Sequence, residues 1–334
     1  MKIGMTYDLQ SEYLKKGYSL DETAEFDRDD TIDAIEKVLA DLGHEPARIG
    51  NAENLIQHLS AGDRWDLVFN IAEGLHGIGR EAQVPAILEV FDIPYTFSDP
   101  LVMSLTLHKA MTKRIIRDAG LATTDFYLLE SVTDAGNIHF DPPWFIKPVS
   151  EGTGKGISPH SIIRRRKDLE IPAQALLSRY RQPVLVEPYL PGREFTMGII
   201  GTGKEAKVLG TMEVHLLSGA EPGVYSYANK ENSEAVVRYS LLKPGDDPAV
   251  KTAEEICLCA WRVLGCRDAG RIDIRCDEKS RPFFMEVNPM AGLHPEHSDL
   301  PIICGLIGLP YIRLIEMIVN SSAVRCNPFT DAIK

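Results

Sequence analysis

Two hydrophobic periodicities alternate along the first hundred residues. Apolar residues recur every three or four positions from Ile32 to Leu42, which predicts an amphipathic helix. The apolar runs at 1–7 and 65–70 are short and continuous, as buried strands are. A second helix is predicted over 83–91. Strands that alternate with helices predict a parallel sheet, whose ligands gather at the carboxyl ends of its strands.

The rest of the chain has more strands and fewer helices. Helical periodicity covers 107–118, and a strand is predicted over 144–147. Three more strands are predicted, at 184–187, 271–276 and 282–287, and a polar turn joins the last two. A chain of 334 residues is long enough for two or three compact units.

We therefore expect an α/β fold of three domains. An N-terminal parallel-sheet domain covers 1–104, a small central α+β domain covers 105–182, and a C-terminal α+β domain covers 183–334. No low-complexity linker separates these segments, so we expect them to pack against each other.

Composition and charge exclude several classes of protein. Hydrophobic residues make up 44% of the chain and charged residues 25%, which excludes a disordered or fibrous protein. The net charge of −12 leaves no broad basic footprint, which argues against a nucleic-acid partner. No apolar run approaches the roughly 20 residues of a membrane span, and the N-terminus has no signal-peptide pattern. We expect a cytoplasmic protein with no membrane partner.

Four polar residues occupy alternate positions of the last two predicted strands. Arg271 and Asp273 lie on one face of the first strand, and Glu286 and Asn288 lie on one face of the second. If these strands pair, two carboxylates and an amide oxygen converge. Mg²⁺ prefers such an oxygen-only site, and a guanidinium suits a developing oxyanion. The alternative is a surface hairpin whose polar face meets water.

A glycine-rich loop follows the strand at 144–147. Lys147 ends that strand, where its ammonium group can reach nucleotide phosphates, and backbone N–H groups of the loop 151–156 can surround an anion. The loop is not a Walker A motif, because Gly156 follows Lys155 where that motif has Ser or Thr. A glycine-rich hairpin turn is the alternative.

A third segment, 186–196, carries two carboxylates separated by an apolar stretch. Glu187 ends a strand and Glu194 follows seven residues later, so the segment can bind the edge and face of an adenine and its ribose. Edge-strand and turn residues explain the same pattern. Lys109, taken alone, is a solvated helix lysine.

Taken in their order along the chain, these motifs resemble those of the ATP-grasp carboxylate–amine ligases. Within that superfamily the chain is similar to the D-alanine–D-alanine ligase family over nearly its whole length, including 89–96 and 288–301. The resemblance implies an ATP-grasp fold with an N-terminal parallel-sheet domain, a central lid domain and a C-terminal catalytic domain.

The resemblance also implies a role for each matching residue. The implied ATP ligands are Lys109, Lys147, Glu151, Gly152, Thr153, Gly154, Gly156, Glu187, Tyr189, Leu190 and Glu194. Asp273, Glu286 and Asn288 are implied to ligate two Mg²⁺ ions, with Mn²⁺ as a substitute. The implied catalytic set is Arg271 for the oxyanion, Lys230 on a mobile loop for the transferred phosphate, and Gly292 and Ser298.

A family of this kind joins an amino-acid carboxylate to an amine. Transfer of the γ-phosphoryl group of ATP turns the carboxylate into an acyl phosphate, whose leaving group is phosphate instead of oxide. Such a transfer needs charge neutralisation and in-line positioning more than a protein nucleophile. The lysines, the metal triad and the arginine fit that chemistry.

Several positions depart from the family pattern where its substrates bind. The N-terminal Gly-Gly-x-Ser-x-Glu pattern is absent from 4–8, so the group that binds the first ammonium is unassigned, with Glu12, Glu25 and Glu73 as candidates. At the tyrosine position of the mobile loop stands Glu231, and one extra residue lies in 294–297.

Glu231 and Glu296 are added carboxylates in this region. They would repel an anionic second substrate, which predicts a neutral or cationic amine acceptor. The alternative is that both carboxylates face solvent.

The expected function is an ATP-dependent ligase of the D-alanine–D-alanine ligase type, acting on amino acids or an amine acceptor as a homodimer. Two alternatives stay open at this point. One is another ATP-grasp peptide or amide ligase with a substrate other than D-alanine. The other is a nucleotide-binding regulatory homologue without turnover.

Overall fold

Three β-sheets with flanking helices form the structure, a computed structural model that describes residues 1–325 apart from the side chains of residues 230 and 231. The first sheet is parallel, in the order β2-β1-β3, and contains β1 (Lys2–Tyr7), β2 (Glu45–Gly50) and β3 (Leu67–Ile71). The second is antiparallel, in the order β4-β7-β5-β6, and contains β4 (Tyr127–Leu129), β5 (Trp144–Pro148), β6 (Ile162–Ile163) and β7 (Val184–Pro188). The third, also antiparallel in the order β10-β9-β8-β11-β12, contains β8 (Glu194–Ile200), β9 (Lys207–Leu216), β10 (Val237–Leu242), β11 (Ala269–Cys276) and β12 (Pro282–Asn288).

Helices cover the faces of these sheets. Those of the first half of the chain are α1 (Gln10–Lys15), α2 (Asp29–Asp41), α3 (Ala52–Ser60), α4 (Gln83–Val90), α5 (Pro100–Leu107) and α6 (Lys109–Asp118). Those of the second half are α7 (Glu170–Tyr180), α8 (Tyr227–Glu231), α9 (Ser233–Val236), α10 (Pro248–Leu264), α11 (Asp299–Leu306) and α12 (Tyr311–Arg325). Within residues 1–325, no single helix has the length and apolar character to cross a membrane, and only α11 and α12 together, bent by 116°, pass that test.

The parallel sheet confirms the α/β prediction for the N-terminal part. Helix α2 buries Ile32, Ile35 and Leu39 completely against this sheet, as their spacing predicts. Helix α12 packs on the same core through Leu314 and Ile318. Helix α12, the last described element, therefore packs on the N-terminal sheet, and the first and last parts of the described chain share one hydrophobic core.

The predicted helix at 107–118 is wrong in one respect, because the chain forms two helices that meet at His108. The backbone of His108 is not helical, and its side chain accepts a hydrogen bond from the Met111 amide at 3.3 Å. The Lys109 amide donates to the carbonyl of Val149, 3.0 Å away, instead of to its own helix. This bond fixes the start of α6 against the second sheet and so sets the position of Lys109.

The predicted domain boundary at 182/183 does not coincide with the sheets. Strand β7 pairs with β4 and β5, so it belongs to the second sheet and not to the third. We propose that the central and C-terminal domains meet between Pro188 and Glu194, where the chain leaves one sheet and enters the other.

The predicted hairpin of β11 and β12 is confirmed. The two strands are antiparallel, and Asp273 lies opposite Glu286 while Arg271 lies opposite Asn288. Their other faces bury Ile272, Ile274 and Phe284 against α10. The polar side chains therefore project from the opposite face of the sheet, toward the interior of the molecule.

A fully buried carboxylate, Asp268, connects the N-terminal part of the chain to helix α12. It accepts hydrogen bonds from the Phe97 amide at 2.7 Å, from Ser321 Oγ at 2.8 Å and from Arg325 Nη2 at 2.6 Å. Burial raises the pKa of Asp268, and the attraction of Arg325 opposes that rise. This one side chain links the N-terminal part, β11 and helix α12.

We expect Asp268→Ala to lower the free energy of unfolding by about 3 kcal/mol, because it leaves the Arg325 guanidinium and a buried amide without their acceptor. The measurement is the denaturation midpoint in urea. Glu278→Ala removes an exposed carboxylate from the β11–β12 turn and is expected to change the free energy by less than about 0.5 kcal/mol. Equal effects of the two substitutions would contradict the role assigned to Asp268.

Candidate active site

A cavity of about 540 Å³ opens between the N-terminal domain, the glycine loop and the third sheet. Its walls include Lys109 from α6, Gly152 and Thr153 from the loop, and Arg271 from β11. A narrower cleft lies between the second and third sheets, and the two spaces share Tyr225, Glu286 and Asp299. A substrate in the cavity therefore lies next to any ligand held in the cleft.

The three predicted metal ligands lie together on the polar face of β11 and β12. Asp273 Oδ1 accepts a hydrogen bond from Thr196 Oγ1 at 3.0 Å, and its Oδ2 accepts one from Asn288 Nδ2 at 3.4 Å. Arg271 Nη2 lies 3.3 Å from the same Oδ2. Two carboxylates and an amide form an oxygen donor set that fits Mg²⁺, which keeps waters and shares its remaining positions with phosphates.

Lys147 connects the metal triad to the second sheet. Its ammonium group lies 3.2 Å from Glu286 Oε2 and 3.5 Å from Glu187 Oε1. Lys109 Nζ lies 3.8 Å from the same Glu286 oxygen. Two lysines thus converge on the carboxylate that is predicted to hold metal, as a site for triphosphate requires.

The structure gives Glu187 a role that the sequence did not predict. Its carboxylate is completely buried beneath the cleft, where Oε2 accepts hydrogen bonds from Lys113 Nζ at 2.6 Å and Thr124 Oγ1 at 3.2 Å. Its Oε1 accepts no hydrogen bond from the described residues, so the expected contact with adenine stays a prediction. The carboxylate forms ion pairs with both Lys113 and Lys147. These pairs offset the cost of burying all three charged groups away from water.

Burial and charge act in opposite directions on this network. Burial tends to raise the pKa of Glu187, but Lys113 and Lys147 outweigh it and leave the pKa below its usual value. Burial tends to lower the pKa of Lys147, but Glu187 and Glu286 outweigh it and raise the pKa. The pKa of Lys109 is lowered, chiefly by burial. Lys147 consequently stays charged at neutral pH.

The cleft between the sheets contains the other predicted adenine and ribose contacts. Leu190, Tyr189 and Glu194 line it, together with Phe145 from β5. Tyr189 stacks on Phe145 with ring centroids 6.5 Å apart, and Glu194 Oε2 lies 3.3 Å from Arg275 Nη1. An apolar and aromatic cleft with one carboxylate at its end suits a purine and its ribose hydroxyls.

The glycine loop is held in a conformation that needs glycine. Gly154 and Gly156 have φ values of +77° and +74°, and a Cβ on Gly154 would lie 2.9 Å from the backbone nitrogen of Tyr227. Glu151 anchors the loop through Lys155 and through Gln182 Nε2 at 2.7 Å. Its contact with ATP stays a prediction. The backbone of the loop is therefore left to face a phosphate.

Three of the four predicted catalytic residues, Arg271, Gly292 and Ser298, line the cavity. Arg271 Nη1 pairs with Asp299, and Arg271 Nε is buried without a hydrogen-bond partner among the described residues. Ser298 Oγ accepts a hydrogen bond from the His294 amide at 2.9 Å. A Cβ on Gly292 would lie 2.8 Å from that Oγ, so a side chain at this position would displace the Ser298 hydroxyl. The side chain of Lys230, on α8, lies outside the described residues.

The three candidates for the first ammonium are placed differently. Glu12 is exposed and does not line the cavity. Glu25 lines it, but pairs with Arg80 at 2.7 Å and accepts a hydrogen bond from the Gly152 amide. Glu73 lines it, and no described cation forms an ion pair with it. Of the three, Glu73 is the one placed to accept an ammonium group.

Two carboxylates that the sequence did not single out, Asp27 and Glu81, line the cavity beside Glu73. Burial, together with the charge of Asp8, raises the pKa of Asp27 to about 8. Burial also raises the pKa of Glu73 and Glu81, and repulsion from other carboxylates adds to the rise. We call Asp27, Glu73 and Glu81 the acidic wall. A bound cation would relieve the cost of burying these charges.

The two carboxylates expected to repel an anionic substrate do not both act on the cavity. Glu296 is exposed and is not among the residues that line the cavity, so it faces solvent. The side chain of Glu231 lies outside the described residues. Asp299, which sequence reasoning missed, is the buried carboxylate in this region.

Two of the missed residues had a signal in the sequence. Lys113 follows Lys109 by four positions, so both lie on one face of α6. Asp299 directly follows Ser298 at the start of an apolar helix, where an acidic residue is ordinarily explained by the helix dipole. No sequence signal pointed to Asp27 and Glu81. These two residues are far apart in the sequence and come together only in the folded protein.

The raised pKa of Asp27 gives a prediction for the ligand-free protein. Between about pH 4 and pH 8 the folded protein keeps a proton on Asp27 that the unfolded chain releases, so stability falls as the pH rises through that window. Asp27→Asn removes this cost, and we expect it to raise the melting temperature by about 2 °C at pH 8 but not at pH 4.

The matched control for this prediction is Asp125→Asn, at an exposed carboxylate before β4, whose effect on the melting temperature is expected to be the same at both pH values. A shift for Asp27→Asn that is equal at pH 4 and pH 8 would refute the assigned cause.

Known proteins are similar to this chain in sequence. The model of the D-Ala–D-Ala ligase C-terminal family matches residues 115–320. A D-alanine–D-alanine ligase from Bordetella petrii is 30% identical over 295 residues, covering 87% of this chain and 86% of that protein. One from Aquifex aeolicus is 31% identical over 288 residues, covering 86% and 92%.

Solved structures show the same fold. The D-alanine–D-alanine ligase of Bacillus anthracis, complexed with ATP, has a TM-score of 0.72 at 20% identity and covers 98% of both chains. The VanG D-Ala:D-Ser ligase of Enterococcus faecalis has a TM-score of 0.72 at 18% identity and covers 96% of this chain and 99% of its own. With the sequence relatives and the geometry above, these likenesses identify the chain as a member of the D-alanine–D-alanine ligase family, with the ATP-grasp fold of ATP-dependent ligases that form a C–N bond.

Proposed function

We propose that the protein joins the carboxylate of an amino acid to an amine by way of an acyl phosphate, with ATP as the phosphoryl donor. The observation that carries the proposal is the convergence of Asp273, Glu286 and Asn288 with Lys147 and Arg271 between the nucleotide cleft and the cavity. Such a set neutralises phosphate charge on one side and a carboxylate-derived oxyanion on the other.

In the first step the donor carboxylate attacks the γ-phosphorus of ATP, and ADP leaves. Lys147 and Lys109 hold phosphate oxygens, since both ammonium groups already converge on Glu286. The loop 151–156 closes over the phosphates with its backbone amides. Positioning and charge neutralisation lower this barrier without any protein nucleophile.

Asp273, Glu286 and Asn288 would hold the magnesium ions. When bound, Mg²⁺ supplies charge neutralisation between neighbouring phosphate oxygens. Thr196 and Arg271 orient Asp273 from two sides, at 3.0 Å and 3.3 Å, so this ligand is already positioned before metal arrives.

In the second step the amine attacks the carbonyl carbon of the acyl phosphate. Arg271 donates to the oxyanion that forms there, and its buried Nε is a donor without a partner among the described residues. Water must be kept from the acyl phosphate, and Glu25 and Arg80 close the cavity by linking the N-terminal domain to Gly152 and the Ser150 carbonyl.

The acidic wall gives the donor its binding site. Asp27, Glu73 and Glu81 take the place of the acidic residue that is missing from the N-terminal pattern. The α-ammonium group of the donor binds against them. The names of the sequence relatives point to D-alanine as the donor. A regulatory homologue without turnover is not favoured, because such a protein would not need the metal triad and Arg271 together.

We propose a homodimer as the working assembly. Val90 at the end of α4 and Leu101 in α5 are 80% and 75% exposed, and a second copy would cover them. The molar mass in solution tests this, and a monomeric mass would contradict it.

Hydroxylamine tests the first step without any knowledge of the natural acceptor, because it captures an acyl phosphate as a hydroxamate. We expect ADP and a hydroxamate to form together from Mg²⁺-ATP, D-alanine and hydroxylamine. Omission of the amino acid should abolish both products. ADP without hydroxamate across D- and L-amino acids would contradict an acyl phosphate.

Glu286→Gln removes one charge from the metal triad. We expect the Mg²⁺ concentration for half-maximal ADP formation to rise by about 10- to 100-fold, because the loss of a carboxylate ligand weakens metal binding. Titration of ADP formation against Mg²⁺ measures this. Glu278→Gln removes an exposed carboxylate from the turn between the same two strands and serves as the control. An unchanged Mg²⁺ dependence in Glu286→Gln would contradict the metal site.

A further inference from the structure

Asp299 lines the cavity beside Arg271. It directly follows Ser298, starts α11, and is only 7% exposed. Its Oδ2 pairs with Arg271 Nη1, and its Oδ1 lies 3.5 Å from the Tyr225 hydroxyl. A negative charge is therefore fixed beside the arginine that faces the reacting carbonyl.

The other described cations of the cavity are also matched by carboxylates. Lys109 lies 3.8 Å from Glu286, and Arg28 lies 3.2 Å from Asp30. His294 Nε2 lies 3.3 Å from the same Asp30. Burial lowers the pKa of His294, and Asp30 opposes that effect. Among the described residues, each Lys and Arg side chain that lines the cavity therefore has a carboxylate partner, and His297 stacks on His294 with ring centroids 4.5 Å apart.

Acidic residue types outnumber basic ones in the walls of the cavity. Its described walls carry seven Asp and Glu residues but three Lys and Arg residues. The acidic wall lies on the N-terminal side, where the donor's ammonium group binds. Asp299 starts α11 and contacts Arg271 and the Tyr225 hydroxyl, so its charge acts where the amine attacks the carbonyl.

We propose that the acceptor of this ligase is an amine that carries no carboxylate, and that Asp299 is the residue that imposes this specificity. The proposal rests on the proposed function and goes beyond it by naming the acceptor class. An acceptor with a carboxylate would place a second anion against Asp299, whereas a neutral or positively charged group there is accepted or attracted.

The reaction itself is unchanged by this choice. The amine nitrogen forms a C–N bond to the carbonyl carbon, the C–O bond to the phosphate breaks, and inorganic phosphate leaves. The amine gives up one proton to solvent. Only the group attached to the amine differs, and that group lies against Ser298 and Asp299.

The test is a competition between two acceptors that differ only in this charge. D-alanine and D-alaninamide are offered at equal concentrations of free amine, with Mg²⁺-ATP, and the masses of the dipeptide and the dipeptide amide give the ratio of the two kcat/KM values. We expect the amide product to exceed the acid product at least tenfold. A ratio of one or less would overturn the proposal.

The substitution Asp299→Asn tests whether Asp299 causes the preference for an acceptor without a carboxylate. Removal of the charge frees Arg271, so we expect the ratio of amide to acid product to fall at least tenfold, and the ratio is independent of how much active enzyme survives. Glu296→Gln, which removes an exposed carboxylate three residues away, is expected to keep the wild-type ratio. An unchanged ratio in Asp299→Asn would overturn the role of Asp299.

Failure of this proposal is distinct from failure of the proposed function. Hydroxamate formation by the wild-type protein, with D-alanine as the preferred acceptor, would overturn the acceptor class alone. Absence of hydroxamate with every amino acid would overturn the acyl-phosphate ligase and, with it, this inference.

Discussion

The contact between Lys147 and Glu286 is the interaction on which the site depends. Lys147 ends a strand of the second sheet and Glu286 lies in the third, so their 3.2 Å contact joins the two halves of the nucleotide cleft. Behind it, Glu187 balances Lys147 and Lys113 in a dry environment. Removal of one partner from such a network leaves an unpaired buried charge, so these groups persist together. The lysines are therefore positioned before phosphate arrives.

The strand register supplies the second constraint. Because β11 and β12 pair with Asp273 opposite Glu286, two like charges lie close together on one face. Like charges on paired strands repel each other unless cations lie between them. Arg271 and Lys147 provide part of that compensation, and a divalent cation would supply the rest. The electrostatic cost of the hairpin is the physical reason that it suits Mg²⁺ and polyphosphate.

Much of this architecture could be predicted from the sequence, because alternation along β11 and β12 places Asp273 and Glu286 on the polar face. The helix break at His108 could not, since it depends on the hydrogen bond from Lys109 to Val149 in another sheet. The burial of Glu187 likewise depends on the distance between α6 and β7. The same holds for Asp299, whose partner Arg271 lies 28 positions away. Periodicity predicts which face a residue occupies but not which distant charge it meets.

The central claim is that the donor carboxylate becomes an acyl phosphate, and oxygen transfer tests it most directly. A donor amino acid labelled with ¹⁸O in its carboxylate is converted with Mg²⁺-ATP and an amine acceptor, and the released phosphate is analysed by mass. The account predicts one ¹⁸O atom in each inorganic phosphate, because the oxygen that attacks phosphorus leaves with it. Label in AMP, or phosphate without label, would contradict the account.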